Sequence, residues 1–160
     1  MKFKTTDLCD EHVQKLSIAK PGIFKDYGGK KDFYGLINTV KCLEDNSFVR
    51  KALEEPGEGK VLVIDGGASY NCALLGDMLG ELAIKNKWNG IIVNGCIRDS
   101  TELSQLALGV KALAAHPLKS KKENKGEENI KINFAGIDFS PGEYVYCDED
   151  GIVVSAEKYF

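Results

Sequence analysis

The sequence predicts a layered α/β fold built around one β-α-β unit. Two short apolar runs, residues 61–64 and 91–93, have the β-branched composition of buried strands. The segment between them repeats apolar residues with the spacing of one helical face, at Leu75, Leu79, Leu82 and Ala83. We therefore expect a helix from about Asp77 to about Lys85. Strands joined by such a helix lie parallel in one sheet.

The length and charge of the chain limit its class. Its 160 residues suit one domain, residues 1–160, with its own hydrophobic core. The chain has 21 Lys plus Arg against 24 Asp plus Glu, a formal charge of -3, which gives no basic surface for nucleic acid. No apolar run approaches the ~20 residues of a membrane helix, and the first residues lack a secretory signal. We expect a cytoplasmic protein that binds neither nucleic acid nor membrane.

The five cysteines predict neither a disulfide framework nor a zinc site. Their number is odd, and no two are closer than 24 residues in the sequence. We interpret them as reduced thiols, with Cys96 as a small buried side chain. Since the chain has only two histidines, any metal should be a hard cation held by oxygen.

The flanking segments give weaker patterns. We predict strands over residues 33–40, 112–118 and 131–139, and a short helix over residues 101–108. Asn94-Gly95 should close the second central strand. A hairpin is expected to join residues 143–147 to 152–154, with Gly151 in the left-handed conformation. The polar residues 119–129 have four lysines and three glutamates, so we interpret them as a solvated loop whose lysines can be replaced by serine with little effect.

Three charged residues are predicted to converge at the ends of the central strands. Asp77 opens the helix, and Arg98 and Asp99 follow the second strand. A helix of ~9 residues descends about 14 Å, and a strand of ~4 or 5 residues climbs back about 15 Å. The chain then returns to the level at which it left. The carboxyl ends of parallel strands are where α/β sheets bind ligands.

The chemistry of this group suits an anionic 2-oxo acid and a metal. Gly76 allows close approach of the backbone, and the first helical amides, those of Asp77, Met78 and Leu79, favour an anion. Two carboxylates can hold Mg²⁺ or Mn²⁺. Arg98 can bind a carboxylate or an enolate oxygen through two parallel hydrogen bonds.

A purely structural interpretation remains open for each residue alone. Asp77 could serve as an ordinary helix cap, and Arg98 with Asp99 could form a surface pair before the next helix. The predicted convergence of all three favours function.

Around these residues the sequence resembles the regulator of ribonuclease activity A (RraA-like) family, which includes class II 4-hydroxy-4-methyl-2-oxoglutarate aldolases. The resemblance covers nearly the whole chain. It rests on the segments Thr6-Asp7-Leu8-Cys9-Asp10, Phe33-Tyr34-Gly35, Thr39-Val40-Lys41-Cys42, residues 61–67, Trp88-Asn89-Gly90, residues 94–99, Pro141-Gly142-Glu143-Tyr144 and Asp148-Glu149-Asp150-Gly151.

The resemblance implies a layered β/β/α fold and a homotrimer, or a dimer of trimers, with sites between subunits. It implies that Asp99 binds a divalent metal cation directly and Asp77 binds it through water, while Arg98 contacts the pyruvyl part of the substrate. The substrate-binding segment would be Gly76, Asp77, Met78 and Leu79. The implied reaction cleaves 4-hydroxy-4-methyl-2-oxoglutarate into two pyruvates through a pyruvate enolate, with oxaloacetate decarboxylation as a side activity.

A second hypothesis comes from the other branch of the same family. Its members inhibit ribonuclease E or an associated helicase by binding, which requires an exposed surface rather than a catalytic pocket. The complete set of Asp77, Arg98 and Asp99 favours catalysis, because a pure binder does not need it.

Overall fold

A large mixed sheet of ten strands forms the centre of the protein, and a second sheet of two strands is not hydrogen-bonded to it but packs on one of its faces. The structure, a computed structural model, describes residues 3–160. The strands are β1 (Ser17–Ile18), β2 (Lys25–Asp26), β3 (Phe33–Lys41), β4 (Lys60–Asp65), β5 (Ala73–Leu75), β6 (Gly90–Ile97), β7 (Gly109–Ala115), β8 (Glu127–Glu128), β9 (Ile132–Phe134), β10 (Ile137–Phe139), β11 (Tyr144–Asp148) and β12 (Gly151–Ser155).

Four α-helices accompany these strands. They are α1 (Thr5–His12), α2 (Ser47–Leu53), α3 (Asp77–Lys85) and α4 (Ser100–Ser104), and a 3-10 turn at Val13–Lys15 follows α1. Among residues 3–160, no helix has the length and apolar character needed to span a bilayer.

The main sheet has the order β1-β12-β11-β3-β4-β6-β7-β2. Strands β3, β4, β6 and β7 run parallel, and the strands at both edges run antiparallel. Strand β5 pairs in parallel with the end of β6, and β8 pairs with the end of β3. The predicted β-α-β unit is therefore present as β4, α3 and β6.

Both faces of the central strands are covered, which explains their continuous apolar runs. In β4, Leu62 and Ile64 pack with apolar residues of α2, α3 and α4 on one face. Val61 and Val63 pack on the other face with apolar residues of the β9-β10 hairpin. The successive side chains of a strand point to opposite faces, so one strand contributes to two cores. The result is the expected α/β fold, with the layers hairpin, sheet and helices.

The structure corrects the predicted end of the second central strand. Asn94-Gly95 does not close β6, which continues to Ile97. The register between β6 and β7 shifts between Val93 and Cys96, and β5 replaces β4 as the neighbour of β6 beyond this point. The strand continues because the unpredicted β5 satisfies its backbone groups.

Three flanking predictions also need correction. Residues 131–139 form the hairpin β9-β10, since Ala135 and Gly136 take left-handed φ angles of 52° and 77° and reverse the chain. The strand predicted over residues 112–118 is β7, three residues earlier, and begins at Gly109, where a Cβ atom would lie 2.1 Å from the Phe33 ring. The helix predicted over residues 101–108 is the shorter α4.

The hairpin β11-β12 forms as predicted, but its turn is stabilised differently. Gly151 is not among the described residues with positive φ. The Asp148 carboxylate instead accepts hydrogen bonds from the amides of Asp150 (2.9 Å) and Gly151 (3.3 Å). It also accepts two bonds from Thr5, from the amide and the hydroxyl, both at 2.7 Å. Asp148 therefore caps helix α1 from a distant turn.

We expect Asp148→Ala to destabilise the protein by about 2 kcal/mol, or about 4 to 8 °C in Tm, because it removes an ionised acceptor from the start of α1 and from the turn. Thermal unfolding followed by circular dichroism measures this. The exposed neighbour gives a matched control, and Asp150→Ala should shift Tm by less than about 2 °C. Equal shifts in both variants would contradict the capping role.

All five cysteines are free thiols, and four of them, Cys42, Cys72, Cys96 and Cys147, are buried. Cys96 is fully buried, as predicted, and its burial raises the pKa of the thiol. A buried protonated thiol packs as a small apolar side chain and is a poor nucleophile.

Candidate active site

Strand β5 brings the predicted site residues together. Leu75 pairs with Ile97, and the Arg98 amide donates to the Leu75 carbonyl over 2.8 Å. The next residues of the two segments are therefore neighbours, with Gly76 and Asp77 beside Arg98 and Asp99. The predicted convergence is present, although the sequence argument did not include β5.

Asp99 has a backbone conformation that is uncommon for a residue other than glycine. Its φ and ψ angles are 56° and 45°, in the left-handed region, which Asp tolerates better than most residues. Its side chain does not cap the helix α4 that follows it. Instead, Oδ2 accepts a hydrogen bond from the Asp77 amide over 3.1 Å. The carboxylate of Asp99 is thus directed at the start of α3 and does not serve its own helix.

Gly76 makes room for this carboxylate. A Cβ atom at position 76 would lie 2.7 Å from Asp99 Oδ2 and 3.3 Å from Arg98 Cγ. The first distance is shorter than any real Cβ contact, so a side chain here would displace the carboxylate. Gly76 is needed for close approach and not for an unusual φ angle, which is -137°.

The amides at the start of α3 are less available than predicted. The Asp77 amide is bonded to Asp99, and the Met78 amide donates to Asp77 Oδ1 over 2.8 Å. Neither bond uses the Leu79 amide. Two of the three amides predicted to face an anion are therefore already paired, and the carboxylates have taken the place of that ligand.

Arg98 has no ion pair within the described range 3–160. Its side chain is partly buried, and its Cγ and Nε atoms lie next to Gly76. The position is thus fixed by packing while the guanidinium remains available. Five N–H donors in a planar arrangement can bind a carboxylate or an enolate oxygen.

These residues line a cavity of about 300 Å³. Sequence reasoning missed the five other polar lining residues, namely Asn46, Arg50, Lys119, Ser120 and Lys122. Together the lining has four basic and two acidic side chains. This excess of positive charge favours an anionic ligand.

Residues 119–129 were predicted to be a solvated loop, and they are exposed except for Ser120, but the main chain of residues 119–125, which we call the lysine segment, is bonded to neighbouring elements. Ser120 is buried, and the amide of Glu123 donates to Asp45 Oδ2 over 2.6 Å. The main chain of Lys121 bonds to Glu44 and Asn46. The overlooked signal was position, because the segment follows β7, whose carboxyl end lies at the same edge of the sheet as the site.

The acidic residues fit a small hard cation. The described residues contain no group of three or more His, Cys, Asp or Glu side chains arranged to hold a metal. Asp77 and Asp99 offer carboxylate oxygens only, and Mg²⁺ binds through one or two carboxylates while keeping several waters. Asp99 is half-buried and lines the cavity. The donor set therefore fits Mg²⁺ or Mn²⁺ better than a metal that needs nitrogen or sulfur.

A larger cavity, of about 420 Å³, lies between α1 and the strands β1 and β12. Its buried lysine, Lys111, pairs with Asp26 at 3.0 Å and donates to the Asp148 carbonyl over 2.8 Å. This ammonium connects β2 to β11 and is already neutralised by Asp26. We therefore take the smaller cavity as the candidate active site, because Asp77, Arg98 and Asp99 converge there and form no ion pair among residues 3–160.

The family model described as Aldolase/RraA matches residues 5–154. The chain belongs to the RraA-like family. A relative from Alkalilimnicola ehrlichii is 55% identical over 155 residues, covering 97% of this chain and 96% of the relative. A relative from Aromatoleum aromaticum is 54% identical over 155 residues, covering 97% of each. Both are named as candidate 4-hydroxy-4-methyl-2-oxoglutarate aldolases.

Two solved RraA-like structures are very similar to this fold. One, described as the RNA-processing inhibitor RraA from Thermus thermophilus, has a TM-score of 0.95 and 42% identity, covering 100% of this chain and 96% of that one. The other, described as an S-adenosylmethionine: 2-dimethylmenaquinone methyltransferase from Geobacillus kaustophilus, has a TM-score of 0.96 and 45% identity, covering 98% and 97%. Relatives of one fold thus have three different functional names.

Proposed function

We propose that this RraA-like protein is a divalent-metal-dependent aldolase that cleaves 4-hydroxy-4-methyl-2-oxoglutarate into two pyruvates. The observation that carries the proposal is the convergence of Asp77, Arg98 and Asp99 around Gly76. The names of the relatives more than 50% identical support the same reaction.

Each residue has a distinct role in the proposed reaction. Asp99 and Asp77 would hold the metal, which when bound supplies Lewis acidity at the ketone oxygen. Asp77 orients the water that removes the proton from the tertiary hydroxyl at C4. The C3–C4 bond then breaks, one pyruvate leaves with the new C4 ketone, and the electron pair forms the enolate of the other. Arg98 donates to the enolate oxygen, where negative charge develops, and a proton returned to C3 completes the second pyruvate.

Oxaloacetate decarboxylation is a proposed side activity. Loss of carbon dioxide from C4 of oxaloacetate leaves an electron pair that forms the same pyruvate enolate. Arg98 and the metal would stabilise this enolate without any new group. Decarboxylation does not need the proton removal at a hydroxyl that Asp77 assists in the aldol cleavage.

The test of the proposed function is a coupled assay of pyruvate release. We expect release from 4-hydroxy-4-methyl-2-oxoglutarate with Mg²⁺ or Mn²⁺, its loss on adding a chelator, and its return on restoring the cation. A parent protein that releases no pyruvate from any 2-oxo acid tried, with metal present, would overturn the proposal.

The lysine segment suggests how the second carboxylate of the substrate is held. Lys119 and Lys122 are exposed, so each contributes modestly and in a salt-dependent way. We expect Lys119→Ser with Lys122→Ser to raise KM for the dicarboxylate by about tenfold at low ionic strength, or about 1.4 kcal/mol. Lys125→Ser, a change in the same segment outside the cavity, is the control. An unchanged KM in the double variant would show that the segment does not contact substrate.

We also propose a homotrimer or a dimer of trimers. Large apolar side chains are exposed near the cavity, with Met78 70% and Leu118 57% exposed, and Met78 lines the cavity itself. Methionine is enriched at subunit interfaces relative to the rest of a protein surface. Light scattering at micromolar concentration should report three or six times 17.5 kDa, whereas a monomer mass would contradict the proposal.

Inhibition of ribonuclease E, or of an associated helicase, is the second candidate function. The similarity to the structure described as an RNA-processing inhibitor favours it. A purified ribonuclease E cleavage assay with added protein separates the two functions. Inhibition that persists in a variant without pyruvate release would assign the binding surface elsewhere on the chain.

A methyltransferase function has less support, since Asp65-Gly66-Gly67 is not a GxGxxG turn and the Asp65 carboxylate accepts a hydrogen bond from the Gly67 amide.

A further inference from the structure

Asp45 is a buried carboxylate without an ion pair in the described part of the chain. It is 3% exposed, and its charge is compensated by backbone amides. Oδ1 accepts from the Ser47 amide over 2.9 Å, and Oδ2 accepts from the Glu123 amide over 2.6 Å. Burying a carboxylate is costly unless such bonds compensate it, so these bonds are tightly coupled to the local structure.

The bonds of Asp45 connect the start of α2 to the lysine segment. On either side of Asp45, the Lys121 amide donates to the Glu44 carbonyl over 3.0 Å, and the Asn46 amide donates to the Lys121 carbonyl over 3.2 Å. The Asn124 amide donates to Ser47 Oγ over 3.1 Å. The segment is thus bonded to residues 44–47 from Lys121 to Asn124.

Asn46 extends this connection to the site. Its Nδ2 donates to the Leu74 carbonyl over 3.2 Å, and its Oδ1 accepts from Lys122 Nζ over 3.3 Å. Leu74 is in β5, two residues before Gly76. The Lys122 ammonium is therefore fixed relative to the strand that leads into the site.

We infer that Asp45 is a positioning residue for substrate binding, which it serves by holding the lysine segment so that Lys119 and Lys122 face the cavity. This inference rests on the proposed function for the identity of the ligand. Asp45 itself does not line the cavity, so its effect on affinity is transmitted through the segment.

The charge of Asp45 is part of this arrangement. Burial alone would raise its pKa, but the hydrogen bonds from the Ser47 hydroxyl and from the amides of Ser47 and Glu123 outweigh burial and lower the pKa below its ordinary value. The group is therefore ionised at neutral pH. An asparagine amide cannot replace it, because its NH₂ group would face an N–H donor.

The decisive experiment compares Asp45→Asn with Asp65→Asn, using pyruvate release with Mg²⁺ and thermal unfolding. Asp65 is a matched control, since it is 8% exposed and accepts the Gly67 amide (2.9 Å) and Asn94 Nδ2 (3.1 Å) but has no bond to the lysine segment. We expect Asp45→Asn to raise KM by about tenfold, with kcat changed by less than about threefold. Asp65→Asn should not raise KM, because both bonds go to Oδ1, which the asparagine keeps.

Two outcomes would overturn the inference. One is a folded Asp45→Asn protein with the parent KM, and the other is an equal rise in KM in Asp65→Asn, which would indicate general loosening. If Asp45→Asn does not fold, Ser47→Ala removes the acceptor for Asn124 and the hydroxyl that donates to Asp45, and it should raise KM by about threefold.

A binding measurement separates this inference from the proposed reaction. Calorimetric titration with 2-oxoglutarate and Mg²⁺ needs no turnover, and we expect about tenfold weaker binding in Asp45→Asn. If the parent releases no pyruvate but Asp45→Asn still binds 2-oxoglutarate more weakly than the parent, the proposed reaction is refuted and the positioning role is kept. Unchanged binding would refute the positioning role even if the reaction is confirmed.

Discussion

Replacing Asp99 by Asn is expected to lower pyruvate release by about 100- to 1000-fold, the usual effect of losing one preorganised electrostatic group. Asn is preferable to Ala because Asp99 has a left-handed φ of 56°, which Asn adopts more readily than Ala. The amide can still accept the Asp77 N–H, so the fold should survive. What disappears is the negative charge that the divalent cation needs.

Calorimetric titration with Mn²⁺ checks the cause of this loss. Asp99→Asn should bind the cation at least about tenfold more weakly, and its Tm without metal should stay near that of the parent. Gly76→Ala tests the same carboxylate independently and should also weaken Mn²⁺ binding, since its Cβ would lie 2.7 Å from Asp99 Oδ2 and displace the carboxylate. Gly151→Ala meets nothing within 4 Å and is the control. A folded Asp99→Asn protein that cleaves the substrate at the parent rate would refute the proposed site.

The central elements could be predicted because their determinants are local. Apolar spacing placed α3 at Asp77–Lys85, which are its observed bounds, and two apolar runs placed β4 and the first part of β6. A strand buried on both faces gives a continuous apolar run, and a helix with one buried face gives a period near four. The positions of Asp77, Arg98 and Asp99 then followed from chain geometry.

Two features could not be predicted because they depend on pairing between distant segments. Strand β5 has only three residues, and its last, Leu75, also fits the helical spacing, so no strand was predicted there. The lysine segment has the charge pattern of a solvated loop, and nothing in its own sequence indicates the amide bonds to Asp45. Sequence reasoning therefore found the acidic residues and Arg98, and missed the other basic residues that line the cavity, Arg50, Lys119 and Lys122.

Arg98 differs from the other basic residues of the cavity in how it is held. Its amide is bonded to the Leu75 carbonyl over 2.8 Å, and its side chain packs beside Gly76. Lys119 and Lys122 are exposed, whereas Arg98 is partly buried and has no ion pair among residues 3–160. A preorganised and partly desolvated cation is worth more to a developing negative charge than a mobile one in water.

We therefore expect Arg98→Lys to lower kcat by about 100-fold although the charge is kept, because a point charge cannot reproduce the planar donor geometry. Tm should change by less than about 2 °C, since the side chain does not belong to the core. Arg98→Ala provides the sharper measurement. Added guanidinium should restore part of its kcat, while methylammonium at the same concentration should not. A merely structural role of Arg98 predicts no rescue by guanidinium. Full activity in Arg98→Lys would show that the planar guanidinium donors are not needed at the enolate oxygen.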